Sequence, residues 1–202
     1  MSKPDPSTKA RLLATALDLF AAKGFDGLDI RELTAQANAN LAAVGYHFHG
    51  KAGLYRAVLQ QAIFPLCHSL QLNLEELDAG FFSAESIVDT YLASADGASS
   101  SAGRLFRRCL TDPVAANVPP DDHLVLQQTL AKLSQAFRRL APPMPATAFL
   151  WRLTLFVGAA NHALDHLPRM SELTRGICRD NDHNGVRNEL VNVATTLFSS
   201  SS

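Results

Sequence analysis

The tightest constraint on the fold is a three-residue turn, Asn38-Ala39-Asn40, between two short segments with helical spacing of apolar residues. The first segment runs from Ile30 to Ala37 and the second from Leu41 to about His47. Asn38 can form the turn because asparagine tolerates the left-handed conformation, and Asn40 is a good N-cap for the second segment. The pattern predicts two short helices joined by a tight turn, the arrangement of a helix-turn-helix.

A further helix is predicted before this pair, from about Thr8 to Lys23, where Gly24 provides a left-handed stop. The next helix is expected to be capped by Asp29, with Glu32 reaching back to complete a capping box. Together the three helices define an N-terminal helix-turn-helix domain over residues 1–50.

The last of these three helices is expected to enter the major groove of DNA. Small side chains at Ala42 and Ala43 let a helix approach base edges closely, whereas polar side chains near its end can donate to phosphates. Leu41, Val44 and Phe48 are expected to point inward, although Leu41 also counts as a candidate DNA contact. The candidate DNA-binding residues are Arg31, Asn40, Leu41, Ala42, Ala43, Tyr46, His47 and Lys51, the last three as phosphate donors.

The remaining sequence keeps helical spacing and no strand-like alternation stands out, so we predict an all-α protein. A helical C-terminal domain is expected over residues 51–202, with the helix from about Lys51 connecting the two domains. Hydrophobic residues make up 47% and charged residues 18%, which is enough for a sizeable core. The most apolar run, Ala148 to Leu167, contains Arg152 and Asp165, so it is predicted as a buried helix and no membrane partner is expected.

Charge and cysteine content narrow the function further. Residues 1–60 carry seven Lys and Arg against five Asp and Glu, which permits an anionic partner such as double-stranded DNA. The three cysteines lack the spacing of a metal or disulfide framework, and the N-terminal residues lack the apolar core of a signal peptide, so a cytoplasmic location is expected. No catalytic motif is present, and we predict a protein that is not an enzyme and needs no cofactor.

Two histidines, His162 and His166, are four residues apart on one predicted helix, a spacing found in metal sites. The sequence places no third ligand beside them. Roles as hydrogen-bonding groups at a pocket or interface are therefore favoured, and no metal site is predicted.

Residues 12–59 resemble the DNA-binding domain of the TetR family. The resemblance rests on ALDLFAAKGF in the first helix, IRELTAQA in the second, YHF at the end of the third, and the Lys51 and Leu54 that follow. The sequence differs from the family at Asn38, which replaces the usual glycine, at Gly45 inside the third helix, and at His49-Gly50. The resemblance implies a repressor that binds a palindromic operator as a homodimer.

It also implies that the C-terminal helices form a ligand pocket and a dimer interface. An apolar cavity is expected between the helices that carry Phe106, Phe137 and Phe156, with Arg152 or the Arg104–Arg108 group holding an acidic head. Residues 149–164 more weakly resemble the branch that controls fatty-acid metabolism, which implies a small-molecule effector with a long acyl chain. The candidate ligand-binding residues are Phe106, Cys109, Phe137, Arg152 and Phe156; the candidate dimerisation residues are Trp151, Leu155, Gly158, His162, Leu190, Val193 and Leu197.

An alternative to this function is a helical ligand carrier or enzyme with an incidental helix-turn-helix. Simpler roles also compete at single residues. Each phenylalanine named above can be plain core, and Cys109 can be an inert buried thiol. Arg104, Arg107 and Arg108 are expected on a solvated helix face.

Overall fold

The computed structural model describes residues 7–77, 82–94 and 100–198. Throughout these ranges the regular structure is helical and includes no strand, which confirms the all-α prediction. The helices are α1 (Thr8–Gly27), α2 (Ile30–Gln36), α3 (Ala42–Phe48), α4 (Lys51–Val58), α5 (Phe64–Glu76), α6 (Ala84–Ser94), α7 (Ser101–Thr111), α8 (His123–Leu140), α9 (Ala146–His166), α10 (Met170–Leu173) and α11 (His183–Phe198).

Local signals determine where the first two helices begin and bend. Gly24 has a φ of 74°, so α1 is kinked at the predicted left-handed position. The carboxylate of Asp29 accepts a hydrogen bond from the Arg31 amide at 2.8 Å and caps α2 as predicted. The predicted capping box is wrong, because Glu32 instead forms an ion pair with the Lys23 ammonium at 2.6 Å. A charged donor on the neighbouring helix binds a carboxylate more strongly than a backbone amide does.

The turn between α2 and α3 has the expected conformation. Asn38 has a φ of 47°, in the left-handed region. The Asn40 side chain accepts a hydrogen bond from the Ala42 amide at 2.9 Å, which confirms its capping role. The inward prediction for Leu41 is wrong: its side chain is 52% exposed because the residue precedes the first turn of α3.

Helices α4 and α5 are joined by a π-helical turn, Leu59–Ile63, into one continuous rod. Pro65 explains the wide turn. It has no N–H to donate to the carbonyl of Gln61, and its ring would clash with that carbonyl in a regular α-helix. The rod therefore continues through this proline by way of a widened turn and does not break.

The C-terminal helices pack around an aromatic cluster. The ring of Phe137 lies 4.7 Å from that of Phe156 and 4.5 Å from that of Phe198, centroid to centroid, which joins α8, α9 and α11. Helix α5 packs against α6 and α8, and α11 packs against α6 and α9. In the described part of the chain, no helix is both long enough and apolar enough to span a membrane.

Candidate nucleic-acid interface

Helix α3 presents a polar, exposed surface on one side and a buried apolar one on the other. Val44 and Phe48 are buried, as predicted. Tyr46 is 80% exposed, and its ring meets that of His47 edge to face at 4.9 Å between centroids. Of the other predicted DNA-binding residues, Arg31, Asn40, Leu41 and Ala42 are exposed, whereas Ala43, His47 and Lys51 are half-buried.

The Lys51 ammonium makes contacts within the protein that the sequence did not predict. Its ammonium donates to the carbonyl oxygens of Leu28 at 2.7 Å and Asp26 at 3.3 Å, and lies 5.0 Å from the ring centroid of Phe25. These contacts hold the segment that leads into α2. Two of the three ammonium protons are used in this way, which leaves one for a phosphate.

Arg11, which the sequence patterns did not single out, holds the other end of α2. Its guanidinium donates to the carbonyl oxygens of Ala37 at 3.1 Å and Asn38 at 3.3 Å. These carbonyls follow the last turn of α2, where helix geometry leaves no backbone partner. No local sequence signal marks the interaction, because Arg11 lies far from both acceptors along the chain. Two cations therefore fix the orientation of α2, and with it the turn that leads into α3.

Gly53 allows α4 to pack directly on the end of α3. A Cβ atom at this position would lie 1.8 Å from the carbonyl oxygen of Phe48. Real Cβ atoms do not approach oxygen so closely, so only glycine fits without moving one of the two helices. This contact determines the angle between the two helices.

Helix α4 also contacts the segment between α7 and α8. The Tyr55 hydroxyl donates to the carbonyl oxygen of Ala116 at 2.5 Å, and burial raises the pKa of this phenol. Next to it, the Arg56 guanidinium forms an ion pair with Asp122, with 2.9 Å between Nε and Oδ2. Helix α4 thus contacts α1 and α3 on one side of the sequence and the segment between α7 and α8 on the other.

Helix α7 contacts α1 in the N-terminal unit. The Ser101 hydroxyl donates to the Asp18 carboxylate on α1 at 2.6 Å. The Arg108 guanidinium packs over the kink at Gly24, where an added Cβ would lie 3.3 Å from its nitrogens. Because of these contacts, a shift of α7 would displace α1, which packs against α3.

The prediction that the arginines of α7 lie on a solvated helix face is wrong for Arg107. Its side chain is only 1% exposed and is paired with Asp165 of α9. Near this pair, the Tyr91 hydroxyl donates to Asn161 at 2.5 Å, and burial raises the pKa of the phenol. This polar network, buried except for the Asp165 carboxylate, joins α6, α7 and α9 in the C-terminal part of the protein.

The predicted ligand-binding residues are mostly part of the core. Phe106, Phe137 and Phe156 are fully buried. Cys109 is also buried, which raises its thiol pKa to about 12. Arg152 donates to the carbonyl oxygen of Leu197 at 2.6 Å and so binds the end of α11.

A groove of about 360 Å³ lies between α7, α8 and α9, the three helices that were predicted to bound a cavity. Its lining is mainly apolar and does not include the predicted phenylalanines, which are buried in the core. The lining residues are Leu110, Thr111, Leu130, Ala131, Ser134, Leu150, Leu153, Thr154 and Val157.

The outer face of α9 carries exposed apolar side chains. Trp151 is 69% and Leu155 61% exposed, and Gly158 and His162 continue the exposed stripe at helical spacing. The three predicted dimerisation residues on α11 differ in exposure: Val193 and Leu197 are half-buried, but Leu190 is buried within its own chain. Large exposed apolar patches of this kind mark interaction surfaces.

A three-helix N-terminal unit with a supported, exposed third helix defines a helix-turn-helix DNA-binding protein. Comparisons with known proteins support this class. Residues 12–58 match the family described as "Bacterial regulatory proteins, tetR family", and residues 86–196 match "Tetracyclin repressor-like, C-terminal domain". Because the second match alone covers more than half of the chain, the protein belongs to the TetR family of transcriptional regulators. Members of this family are regulators and not enzymes, which favours the main prediction over the enzyme alternative.

Relatives agree with this assignment. The chain is 38% identical over 55 residues to a probable HTH-type transcriptional regulator, YttP, of Bacillus subtilis (strain 168), a match that spans 27% of each protein. A putative tetR family regulator from Shewanella sp. PV-4 has a similar fold, with a TM-score of 0.59 at 15% identity over 97% of this chain and 100% of that one. A tetR family protein from Rhodococcus RHA1 gives a TM-score of 0.59 at 19% identity, covering 98% and 100% of the two chains.

Proposed function

We propose that this regulator is a homodimeric repressor that binds a palindromic operator and is released or engaged by a small apolar effector. The observation that supports DNA recognition best is the exposed face of α3, held by Lys51, Arg11 and the contact at Gly53. A two-fold dimer presents two such helices to successive major grooves, and this geometry requires a symmetric site.

The DNA contacts can be tested by fluorescence anisotropy with an operator selected in vitro from random duplexes. Tyr46→Ala and Arg31→Ala should weaken binding to all sequences, and each should lower the salt slope by about one for every phosphate that its side chain binds. Arg169→Ala, which removes an exposed cation near the end of α9, is the matched control for net charge. Equal effects of Arg31→Ala and Arg169→Ala would contradict the assigned interface. Substitutions at Asn40 or Ala43 should change base preference instead.

We assign the dimer interface to the exposed face of α9 and the adjoining surface of α11. Leu155→Glu should yield monomers, because it places a charge in an apolar contact. Leu124→Glu is a matched control, since Leu124 is 60% exposed on α8 and Leu155 is 61% exposed on α9. Sedimentation should give twice the 21.8 kDa chain mass for the native protein and for Leu124→Glu. A native monomer would refute the assignment.

The groove between α7, α8 and α9 is the proposed effector site. Its volume lies within the usual range of small-molecule pockets, and its few polar groups suit a mainly apolar ligand such as a long-chain acyl compound. α7 also contacts α1, so a ligand that moves α7 can change the support of α3.

Thermal melting with fatty acids and acyl-CoA esters tests the site. A ligand at one hundred times its dissociation constant should add about 2.7 kcal/mol of stability. Ala131→Trp, which fills the groove from its exposed rim, should remove this gain. If another class of small molecule stabilises the protein, and Ala131→Trp abolishes that stabilisation, the groove is the effector site but the effector is not an acyl compound. Stabilisation that persists in Ala131→Trp would place the effector elsewhere.

A further inference from the structure

A second groove lies where α1 passes the widened turn of the rod that α4 and α5 form. Its volume is about 500 Å³, larger than that of the groove between α7, α8 and α9. One wall belongs to α1, and the other belongs to the end of α4 and the π-helical turn Leu59–Ile63. Single π-helical turns inside α-helices are frequent at functional sites. The residues that line the groove are Ser7, Lys9, Ala10, Leu13, Ala14, Leu17, Val58, Gln61 and Ala62.

Small side chains keep this space open. Ala10 and Ala14 line it from α1, and Ala62 lines it from the widened turn. Three methyl groups fill much less of the gap between two helices than larger apolar side chains would. Leu13 and Leu17, which share this face of α1 at helical spacing, are half-buried. The groove is therefore a recess with an apolar floor and not a raised patch.

The shape of the groove favours a small molecule over a protein partner. Surfaces that bind another protein offer exposed apolar anchors, as α9 does with Trp151, which is 69% exposed. In this groove the larger apolar side chains lie below the rim. The volume falls in the range of small-molecule pockets, which are common where two structural units meet. From Ala10 to Leu17 α1 rises by about 10 Å, and this distance limits the length of the apolar part of a ligand.

The charge of the groove determines which polar group such a molecule carries. Of the described residues that line it, Lys9 alone is charged, and its side chain is exposed near the start of α1. An ammonium at this position attracts a carboxylate and forms charge-assisted hydrogen bonds with it, whereas it repels a cationic ligand. Ser7 and Gln61 add neutral polar groups. The lining therefore suits an apolar body with one anionic group.

We propose that the groove between α1 and the widened turn binds a compact apolar monocarboxylate, with an apolar body up to about 10 Å long and its carboxylate at Lys9. The site is separate from the proposed effector site. None of the described residues that line it is among those predicted for DNA binding or dimerisation. A bound ligand would bridge α1 and the rod, and α1 packs against α2 and α3. An effect on operator binding follows from these contacts and rests on the proposed repressor function, whereas ligand binding itself does not.

Calorimetric titration of the full chain with 1-naphthoate, a compact fused-ring carboxylate, tests the site without any DNA. We expect one ligand per chain. Ala14→Trp, which fills the groove from an exposed position on α1, should abolish binding. Ala22→Trp is the matched control, because Ala22 is also exposed on α1 but does not line the groove. It should bind 1-naphthoate as the native protein does, and circular dichroism should be the same for both variants.

The role of Lys9 is tested separately with a neutral analogue. Lys9→Gln should weaken 1-naphthoate binding by up to about 5-fold, the range of exposed ion pairs, and should leave the affinity for uncharged 1-naphthamide unchanged. Arg31→Gln, which removes an exposed cation from α2, should change neither affinity. Ala131→Trp, which fills the groove between α7, α8 and α9, should also leave both affinities unchanged.

The site does not exist if the native protein fails to bind 1-naphthoate at millimolar concentration, or if Ala14→Trp binds it as tightly as the native protein does. Binding that is lost in Ala131→Trp and kept in Ala14→Trp would assign the probe to the proposed effector site and overturn the present proposal. If sedimentation shows that Ala14→Trp converts a native dimer into monomers, a second copy of the chain occupies the groove and the proposal is wrong. Because no operator is present, failure of the repressor proposal would leave these results unchanged.

Discussion

Gly53 provides the sharpest test of how the recognition helix is supported. In Gly53→Ala the new Cβ would lie 1.8 Å from the Phe48 carbonyl oxygen, whereas the closest real contacts begin at 3.0 Å. The backbones of α3 and α4 must therefore separate by about 1.2 Å. Overpacking of this kind costs about 3 kcal/mol, of which the better helix propensity of alanine returns about 1.

The net loss of about 2 kcal/mol corresponds to a melting temperature lower by about 4–8 °C for a chain of this size. Gly45→Ala is the matched control. It is also a glycine-to-alanine change in the same unit, but its Cβ meets nothing within 4 Å. It should raise stability by about 1 kcal/mol through helix propensity alone.

Thermal unfolding by circular dichroism measures both effects in the free protein. Hydrogen exchange adds a local readout, because in Gly53→Ala the amides of α3 should exchange faster while those of α9 should not. If both substitutions shift the melting temperature in the same direction, the Phe48 contact does not hold α3 in place.

Two further predictions concern the C-terminal domain. Asp165→Ala removes the half-exposed carboxylate that binds the buried Arg107 guanidinium and should cost about 2 kcal/mol in urea unfolding. Arg107→Met should cost less than half as much, because an apolar side chain of similar length tolerates burial and the Asp165 carboxylate that it leaves is 45% exposed. The reverse order would contradict the role of this pair. Burial raises the thiol pKa of Cys67 to about 11 and of Cys109 to about 12, so both should resist alkylation in the folded protein and react after unfolding. Since the folded state holds these protons more tightly, their contribution to stability should be complete below the ordinary thiol pKa of 9.0 and fall as pH rises towards 11, which unfolding curves at increasing pH would show.

The sequence by itself determined the N-terminal unit, because its signals are local. The kink at Gly24, the cap at Asp29, and the left-handed turn at Asn38 each depend on one residue and its immediate neighbours. The inward positions of Val44 and Phe48 follow from helical period alone. The family resemblance rested on sequence motifs of the same N-terminal unit, and it correctly indicated a two-part helical regulator.

Tertiary structure decided which partners the charged side chains take. Glu32 binds Lys23 instead of a backbone amide, Arg11 holds the end of α2, and Arg107 is buried against α9, although its neighbours in sequence suggested a solvated face. Each of these pairings depends on which helices pack against each other. Helical periodicity predicts the face of the helix on which a residue lies, but it does not predict which other helix packs against that face. The groove between α7, α8 and α9 has the same origin, since its shape is set by the angles at which three separate helices cross.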